Sequence, residues 1–311
     1  MIRYGFAMNY WLGPLGIDFH KALDEIALTE WDGIEMASDF LNYFLSNINE
    51  LKKLLKLHNL SLASFYSHLN LVDDKYFEVV ELEIIKKKIK LLNKLGADIL
   101  LLDGGAKEIG GNPNKRLEKA VKNIKVICDV ANSNGLKATW HQHWGTLFDN
   151  RKSFEYLMDN TKDSKLYFCP DTAQLLISNI DPYNIIEKYM DRVSYIHLKD
   201  VKENVFINRY KKPTKKTDSR NNSMNIDGNF FFTNYRYLEN SFLDDGCYYI
   251  NSRYKITEIA RGIIDFKPII KLIKEKNFNG WIIVDQDYTE YKSMHSLDVN
   301  LKNLKLLFKE V

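Results

Sequence analysis

Residues 97–140 read ADILLLDGGAKEIGGNPNKRLEKAVKNIKVICDVANSNGLKATW and contain one complete unit of the fold. Ala97–Leu102 is an unbroken apolar run, as expected for a strand covered on both faces. Lys115–Asn134 carries apolar residues at helical spacing and stops at Gly135, a residue suited to the left-handed turn after a helix. Leu136–Trp140 starts the next strand. Strand, helix and strand in this order predict a parallel βαβ unit.

The same alternation continues in both directions. Upstream, strands at Ile2–Ala7, Gly33–Met36 and Ser61–Tyr66 alternate with helices at Phe19–Glu30, Asp39–His58 and Tyr76–Leu95. Downstream, helices at Phe154–Asn160, Tyr183–Met190, Pro268–Lys276 and Ser296–Lys309 alternate with strands at Leu166–Phe168, Val193–His197 and Trp281–Val284. Eight strands, each followed by a helix, predict a single (β/α)₈ barrel, an α/β fold of the TIM type, over residues 1–311. A doubly wound open sheet is the runner-up. Neither GxGxxG after the first strand nor GxxxxGK[ST] is present, so the usual nucleotide signatures are missing.

Bulk properties narrow the function. With 311 residues and 45% hydrophobic content the chain can bury a large core, so neither disulfide nor metal is needed merely to fold. Forty-four basic against 41 acidic residues leave a net charge of +3, which argues against a nucleic-acid partner. Cys128, Cys169 and Cys247 form no CxxC, and so sparse a set suits a reducing compartment. The start, MIRYGFAMNYW, has no basic stretch followed by an apolar one, and no run of about 18 apolar residues occurs. A cytoplasmic protein with no membrane partner is therefore expected; whether it forms a homo-oligomer is left open.

One segment breaks the rhythm. From His141 to Asp171 is 30 residues and from Asp171 to His197 is 26, but from His197 to Asp285 is 88. The excess lies at about 202–255 and includes the polar run NRYKKPTKKTDSRNNSMNIDGNFFFTNYRY at 208–237. It predicts an insertion on the C-terminal, catalytic face, either an active-site lid or a passive solvated loop.

The chemistry-bearing residues fall at strand ends. Strand 5 ends in WHQHWGT with His141 and His143, strand 6 in CPDTAQL with Asp171, strand 7 in YIHLKDV with His197 and strand 8 in GWIIVDQDY with Asp285. In a parallel barrel these ends converge on one rim. Taken singly, each has a plain structural reading: a strand-end His is commonly hydrogen-bonded, and Asp after a strand commonly caps a helix. Four on consecutive strands predict one divalent ion held by His141, Asp171, His197 and Asp285, a mixed N/O site suited to Mn, Co, Fe or Zn. His143 is the first choice for moving a proton, with Glu35 and His68 next. Trp11, Asp103, Gln174, Lys199, Glu258 and Arg261 are candidate substrate contacts.

Several motifs also carry a family resemblance. They are His141-x-His143-x-Gly145-Thr146, Pro170-Asp171-Thr172, His197-Leu198-Lys199-Asp200-Val201, Gly262-Ile263-Ile264-Asp265-Phe266 and Gly280-Trp281 through Asp285-Gln286-Asp287. With Asn9-Tyr10-Trp11 and Gly33-Ile34-Glu35, the sequence resembles the xylose-isomerase-like barrels of sugar-phosphate isomerases and epimerases, and within them the myo-inosose-2 dehydratases. The resemblance spans nearly the whole chain apart from 202–255. It implies the same four metal ligands and a substrate-facing His143. Two departures from the family pattern involve three positions. The isomerases and epimerases commonly have Glu at the strand-5 and strand-8 positions, where this chain has His141 and Asp285. Dehydratase-like members often have His where this chain has Gln174.

Together these features predict a metal-dependent isomerase or epimerase of a small polyhydroxylated sugar or cyclitol, acting by proton abstraction next to a carbonyl. An inosose dehydratase-like lyase is the near-level alternative. A non-haem iron oxidative enzyme, a multi-metal DNA repair nuclease and a non-catalytic sugar-binding barrel are further readings of the same fold.

Overall fold

The computed structural model describes residues 1–13, 16–17, 19–36, 44, 47–104, 112–203, 249–251, 253–287 and 289–311. Among these, eight parallel strands form one sheet: β1 (Arg3–Ala7), β2 (Gly33–Met36), β3 (Ser61–His68), β4 (Ile99–Asp103), β5 (Lys137–His141), β6 (Tyr167–Cys169), β7 (Tyr195–Leu198) and β8 (Trp281–Val284). Hydrogen-bonded neighbours run β6-β5-β4-β3-β2-β1-β8-β7. Parallel bridges Phe168↔Val193 and Asp171↔His197 then join the two edge strands. The sheet closes on itself, which excludes the open-sheet alternative. Outside it lie α1 (Phe19–Ala27), α2 (Ile48–Leu57), α3 (Leu82–Leu95), α4 (Pro113–Ser133), α5 (Arg151–Asn160), α6 (Pro182–Tyr189), α7 (Phe266–Glu275) and α8 (Ser293–Glu310).

Alternation along each strand divides the apolar residues into two cores. Ala7, Ala63, Ile99, Leu101, Cys169, Tyr195, Trp281 and Ile283 fill the barrel lumen. Their neighbours in sequence, among them Leu100, Leu102, Ile196, Leu198, Ile282 and Val284, pack outward on the helices. Each fully buried Leu, Ile or Val among them contributes roughly 1.5–3 kcal/mol. The lumen series turns polar at the C-terminal end of the strands: Ile99 and Leu101 lead to Asp103, Tyr195 to His197, and Trp281 and Ile283 to Asp285.

Element ends follow local chemistry. α4 starts two residues before the Lys115 expected from periodicity, because Asn112 caps it by accepting the N–H groups of Asn114 and Lys115 and Pro113 occupies its first turn. After α4, Gly135 takes the left-handed conformation (φ 78°) that a side chain would oppose. A short helix at Thr172–Ile177, absent from the pattern reading, is nucleated by the Asp171 side chain, which accepts the Gln174 N–H.

The segment after β7 is paired at its base. Asp200–Glu203 runs antiparallel to Tyr254–Thr257, which also pairs with Tyr249–Asn251. These strands are the stems of the expected 202–255 insertion; residues 204–248 lie outside the described residues. Lys202 and Lys255 both bridge to Glu290 and tie the stems to the β8–α8 connection. Buried Asp200 accepts N–H groups of Val201 (2.8 Å), Gly262 (2.7 Å) and Ile264 (3.3 Å). A Cβ on residue 262 would sit 2.2 Å from the Asp200 carboxylate, so this turn requires Gly262. Among the described residues no helix is long and apolar enough to cross a membrane.

Candidate active site

Strand register assembles the rim. His68, Asp103 and His141 are partners across β3, β4 and β5, and Asp171 pairs with His197 across β6 and β7. Residues paired between parallel strands project to the same side, so these side chains share the C-terminal mouth of the lumen. Glu35 joins them from β2, Asn9 from the turn after β1 and Asp285 from the end of β8.

His141, Asp171, His197 and Asp285 converge: one donor atom from each lies within 4.8 Å of all the others, and all four side chains are buried. His141 Nε2 is 3.4 Å from Asp171 Oδ2. His197 Nδ1 lies 3.9 Å from that oxygen and 3.6 Å from Asp285 Oδ2. His197 Nδ1 makes no hydrogen bond, although it is buried. A buried, unbonded imidazole nitrogen beside two carboxylates is costly unless a cation completes it. Donors opposite each other across an ion with ~2.1 Å bonds lie about 4.2 Å apart, so donors spread over as much as 4.8 Å must draw together by roughly half an ångström or more to hold one divalent ion. The two-nitrogen, two-carboxylate set suits a transition metal rather than Ca²⁺.

The supporting groups are as informative as the donors. Glu35 Oε2 bonds His197 Nε2 at 2.8 Å, with both side chains 1% exposed. The carboxylate thereby turns Nδ1 of His197 toward the donor cluster, as carboxylates do behind metal-bound imidazoles. Burial works against charge on His197, but Glu35 and Asp285 outweigh it and push the imidazole up to about 10. Lys199 Nζ lies between Asp285 Oδ2 (2.8 Å) and Asp287 Oδ2 (2.7 Å). Burial would raise the Asp285 carboxyl; Lys199 and His197 instead hold it well below the usual range. Asn9 Nδ2 donates to the other Asp285 oxygen at 3.0 Å. Asp171 uses Oδ1 to cap its short helix at 2.8 Å and keeps Oδ2 for the site, so the capping and ligand readings of this residue are both satisfied.

The remaining candidates divide. His143 lies beside His141, with ring centroids 5.7 Å apart. Its Nδ1 donates to the Trp144 carbonyl (2.7 Å) and its Nε2 meets the Gln174 amide nitrogen (3.1 Å). Burial, with the neighbouring His141 and Lys199, pulls this imidazole down to about 4 against the pull of Asp103. Gln174 also accepts the Trp144 N–H at 3.1 Å, so it positions the strand-5 turn rather than reaching for substrate. His68 and Asp103 form a pair at 3.1 Å, joined by the Tyr66 hydroxyl.

Five further candidates have partners within the protein. Glu35, expected to move a proton, is held by His197. Lys199, a candidate substrate contact, lies between Asp285 and Asp287. Trp11, expected to contact substrate, packs edge-on to Phe6 and donates its indole N–H to Glu25. Glu258 and Arg261, expected at the pocket rim, sit elsewhere. Glu258 is buried in a network with Gln286, Thr289 and Ser296, and Arg261 is exposed over the Tyr291 ring. Sequence reasoning missed the roles of Asp287 and Asn9. Asp287 carried a signal, since it stands two residues beyond Asp285; the Asn9 contact depends on β1 and β8 being neighbours.

Fold and site together define a (β/α)₈ barrel with a buried divalent-metal donor set at its C-terminal mouth. The chain belongs to the xylose isomerase-like TIM barrel family, whose profile matches residues 23–306. Its relatives include the inosose dehydratase of Clostridium beijerinckii, 27% identical over 283 residues and covering 86% of this chain and 82% of that protein. Among solved structures, the IolI protein with a bound zinc atom superposes with a TM-score of 0.71 at 13% identity, covering 99% of this chain and 98% of IolI. L-ribulose 3-epimerase superposes with a TM-score of 0.69 at 12% identity, covering 100% of this chain and 95% of the epimerase.

Proposed function

We propose that this protein is a metal-dependent dehydratase of a cyclic polyhydroxy ketone of the inosose class. The observation that carries the reading is the immobilised state of the strand-5 and strand-8 residues. Epimerisation removes a proton from one face of a carbon and returns one to the other, so it needs proton carriers on both sides. In the family resemblance those positions are a Glu pair. Here they are His141, set against Asp171, and Asp285, whose two oxygens receive Asn9 and Lys199. Neither is placed to shuttle a proton. Elimination of a β-hydroxyl needs proton transfer on one face only. The relationship to inosose dehydratases supports this reading over the isomerase or epimerase that the sequence alone placed first.

His141, Asp171, His197 and Asp285 would hold the metal, with Glu35 and Lys199 fixing two of these donors. When bound, a divalent ion supplies Lewis-acid stabilisation of the negative charge that develops on the carbonyl oxygen. The buried walls of the site exclude bulk water, and neutral His143 with Gln174 braces the strand-5 turn beside the donors.

The test incubates the full chain, loaded with Mn²⁺ or Co²⁺, with a panel of inososes and ketoses. The expected outcome is loss of water from an inosose, seen as a new enone absorbance, and no inversion of the ketoses. Inversion of a ketose without water loss would return the epimerase reading, and oxygen consumption by the Fe²⁺ form would favour oxidative chemistry.

A further inference from the structure

The rim carries two imidazoles outside the metal donors, and their settings differ. The Gln174 amide is oriented by the Trp144 N–H, which donates to its Oε1. Its nitrogen therefore donates to His143 Nε2, and His143 Nδ1 keeps a hydrogen for the Trp144 carbonyl. The basic nitrogen of His143 is capped by an amide.

His68 is oriented by a carboxylate instead. Its Nδ1 meets Asp103 Oδ2 at 3.1 Å. Asp103 is wholly buried and also accepts the Tyr66 hydroxyl and the Gly104 N–H. With the Tyr66 hydroxyl and the Gly104 N–H already donating to Asp103, a hydrogen on His68 Nδ1 matches the contact, and in that neutral tautomer Nε2 is the basic nitrogen. The orienting carboxylate has no solvent contact, whereas the His68 side chain is 12% exposed. Burial alone would raise the Asp103 carboxyl, but His68, His143 and His141 hold it below the usual range. The pair also stands in the right place. His68, Asp103 and His141 are in register on three adjacent strands, so His68 is two strand spacings, roughly 10 Å, from the first metal donor. The Tyr66 ring lies between them, edge-on to His141 at 5.4 Å.

We propose that His68, oriented by Asp103 and Tyr66, is the catalytic base that removes the α-proton and then returns it to the departing hydroxyl. The inference rests on the dehydratase reading and assigns its proton carrier. The α C–H bond breaks, its proton goes to His68 Nε2, and its electron pair forms the enolate. The enolate then re-forms the carbonyl, the β C–O bond breaks and an α,β double bond forms. The leaving hydroxide takes the proton from His68 and departs as water. Atoms balance, no oxidant or reductant is needed, and a single group on one face suffices. Asp103 and Tyr66 are positioning residues.

The experiment combines turnover of an inosose with ¹⁵N NMR of the histidine-labelled full chain. His68→Ala and His68→Gln should each lower kcat by about 10²- to 10⁴-fold with metal content unchanged, and added imidazole should restore part of the His68→Ala turnover in a saturable manner. Asp103→Asn should lower kcat similarly and convert the His68 ring from the Nδ1–H form to a tautomer mixture. Tyr66→Phe should do the same to a smaller degree. Either His68 variant turning over at close to the wild-type rate overturns the proposal. So does a wild-type spectrum with the hydrogen on Nε2 of His68, or imidazole rescue of His143→Ala but not of His68→Ala. In all these outcomes an active wild type leaves the dehydratase reading standing. A wild type that neither exchanges the α-proton in D₂O nor loses water from any inosose overturns both.

Discussion

The rim over β5–β8 and the rim over β2–β4 use the same two residue types, imidazole and carboxylate, to different ends. Over β5–β8 two imidazoles and two carboxylates face one point, with His197 Nδ1 left without a hydrogen bond. Over β3 and β4 one imidazole meets one carboxylate directly at 3.1 Å, with the Tyr66 hydroxyl sharing it. The first arrangement offers four ligand atoms to one cation; in the second the ring and the carboxylate satisfy each other. Glu35, on β2, crosses the divide: it belongs by sequence to the second half, yet bonds His197 in the first. Residue type alone therefore does not separate a metal donor from a proton carrier. What separates them is whether several ligand atoms face one point around an unbonded nitrogen, as at His197 Nδ1, or one ring meets one carboxylate, as at His68 and Asp103.

The largest effect should come from the metal half. Asp171→Ala and His197→Ala should each abolish stoichiometric metal, measured by elemental analysis, and with it all turnover. His197→Ala also strands the buried Glu35 carboxylate, at a cost of about 3–5 kcal/mol, so its denaturation midpoint should fall further than that of Asp171→Ala. Full metal retention in both variants would break the comparison. Next, Glu35→Gln should weaken metal binding about 10- to 100-fold in a competition titration. If it slows α-proton exchange at saturating metal without changing affinity, Glu35 belongs with the proton-moving half.

Two smaller effects mark where the site ends. Glu258→Ala removes the acceptor for Thr289, Ser296 and Gln286. It should cost about 1–3 kcal/mol in urea unfolding with kcat as in wild type; a selective loss of kcat would extend the rim beyond both halves. Asp200 sits at the base of the paired stems. Burial raises its carboxyl to about 6 against the N–H groups of Gly262 and Ile264. The folded state thus binds the proton more tightly than the unfolded state. The stability linked to this proton is full below the ordinary carboxylate value near 3.8 and is lost as pH rises through about 6. The stability difference between wild type and Asp200→Asn should change across that window and be flat above it.

Much of the barrel was legible in the sequence because its signals are local. Ala97–Leu102 reads as a strand buried on both faces whatever surrounds it, and Gly135 marks a helix end by its own backbone. The paired stems at 200–203 and 254–257 were not legible, because their partners are separated by about fifty residues of polar sequence. The short helix after Asp171 was hidden for a different reason: one capping side chain, rather than a periodic pattern, starts it.

By itself the sequence determined the eightfold strand–helix repeat and the four donors at successive strand ends, since strand parity and a parallel barrel suffice to bring such positions to one mouth. Only the tertiary structure decided what each polar side chain does there. Glu35 and His197 are 162 positions apart, Lys199 and Asp285 86, and Tyr66 and Asp103 37. A buried imidazole or carboxylate takes its role from the groups within about 3 Å of it, and in a closed barrel those groups come from other strands.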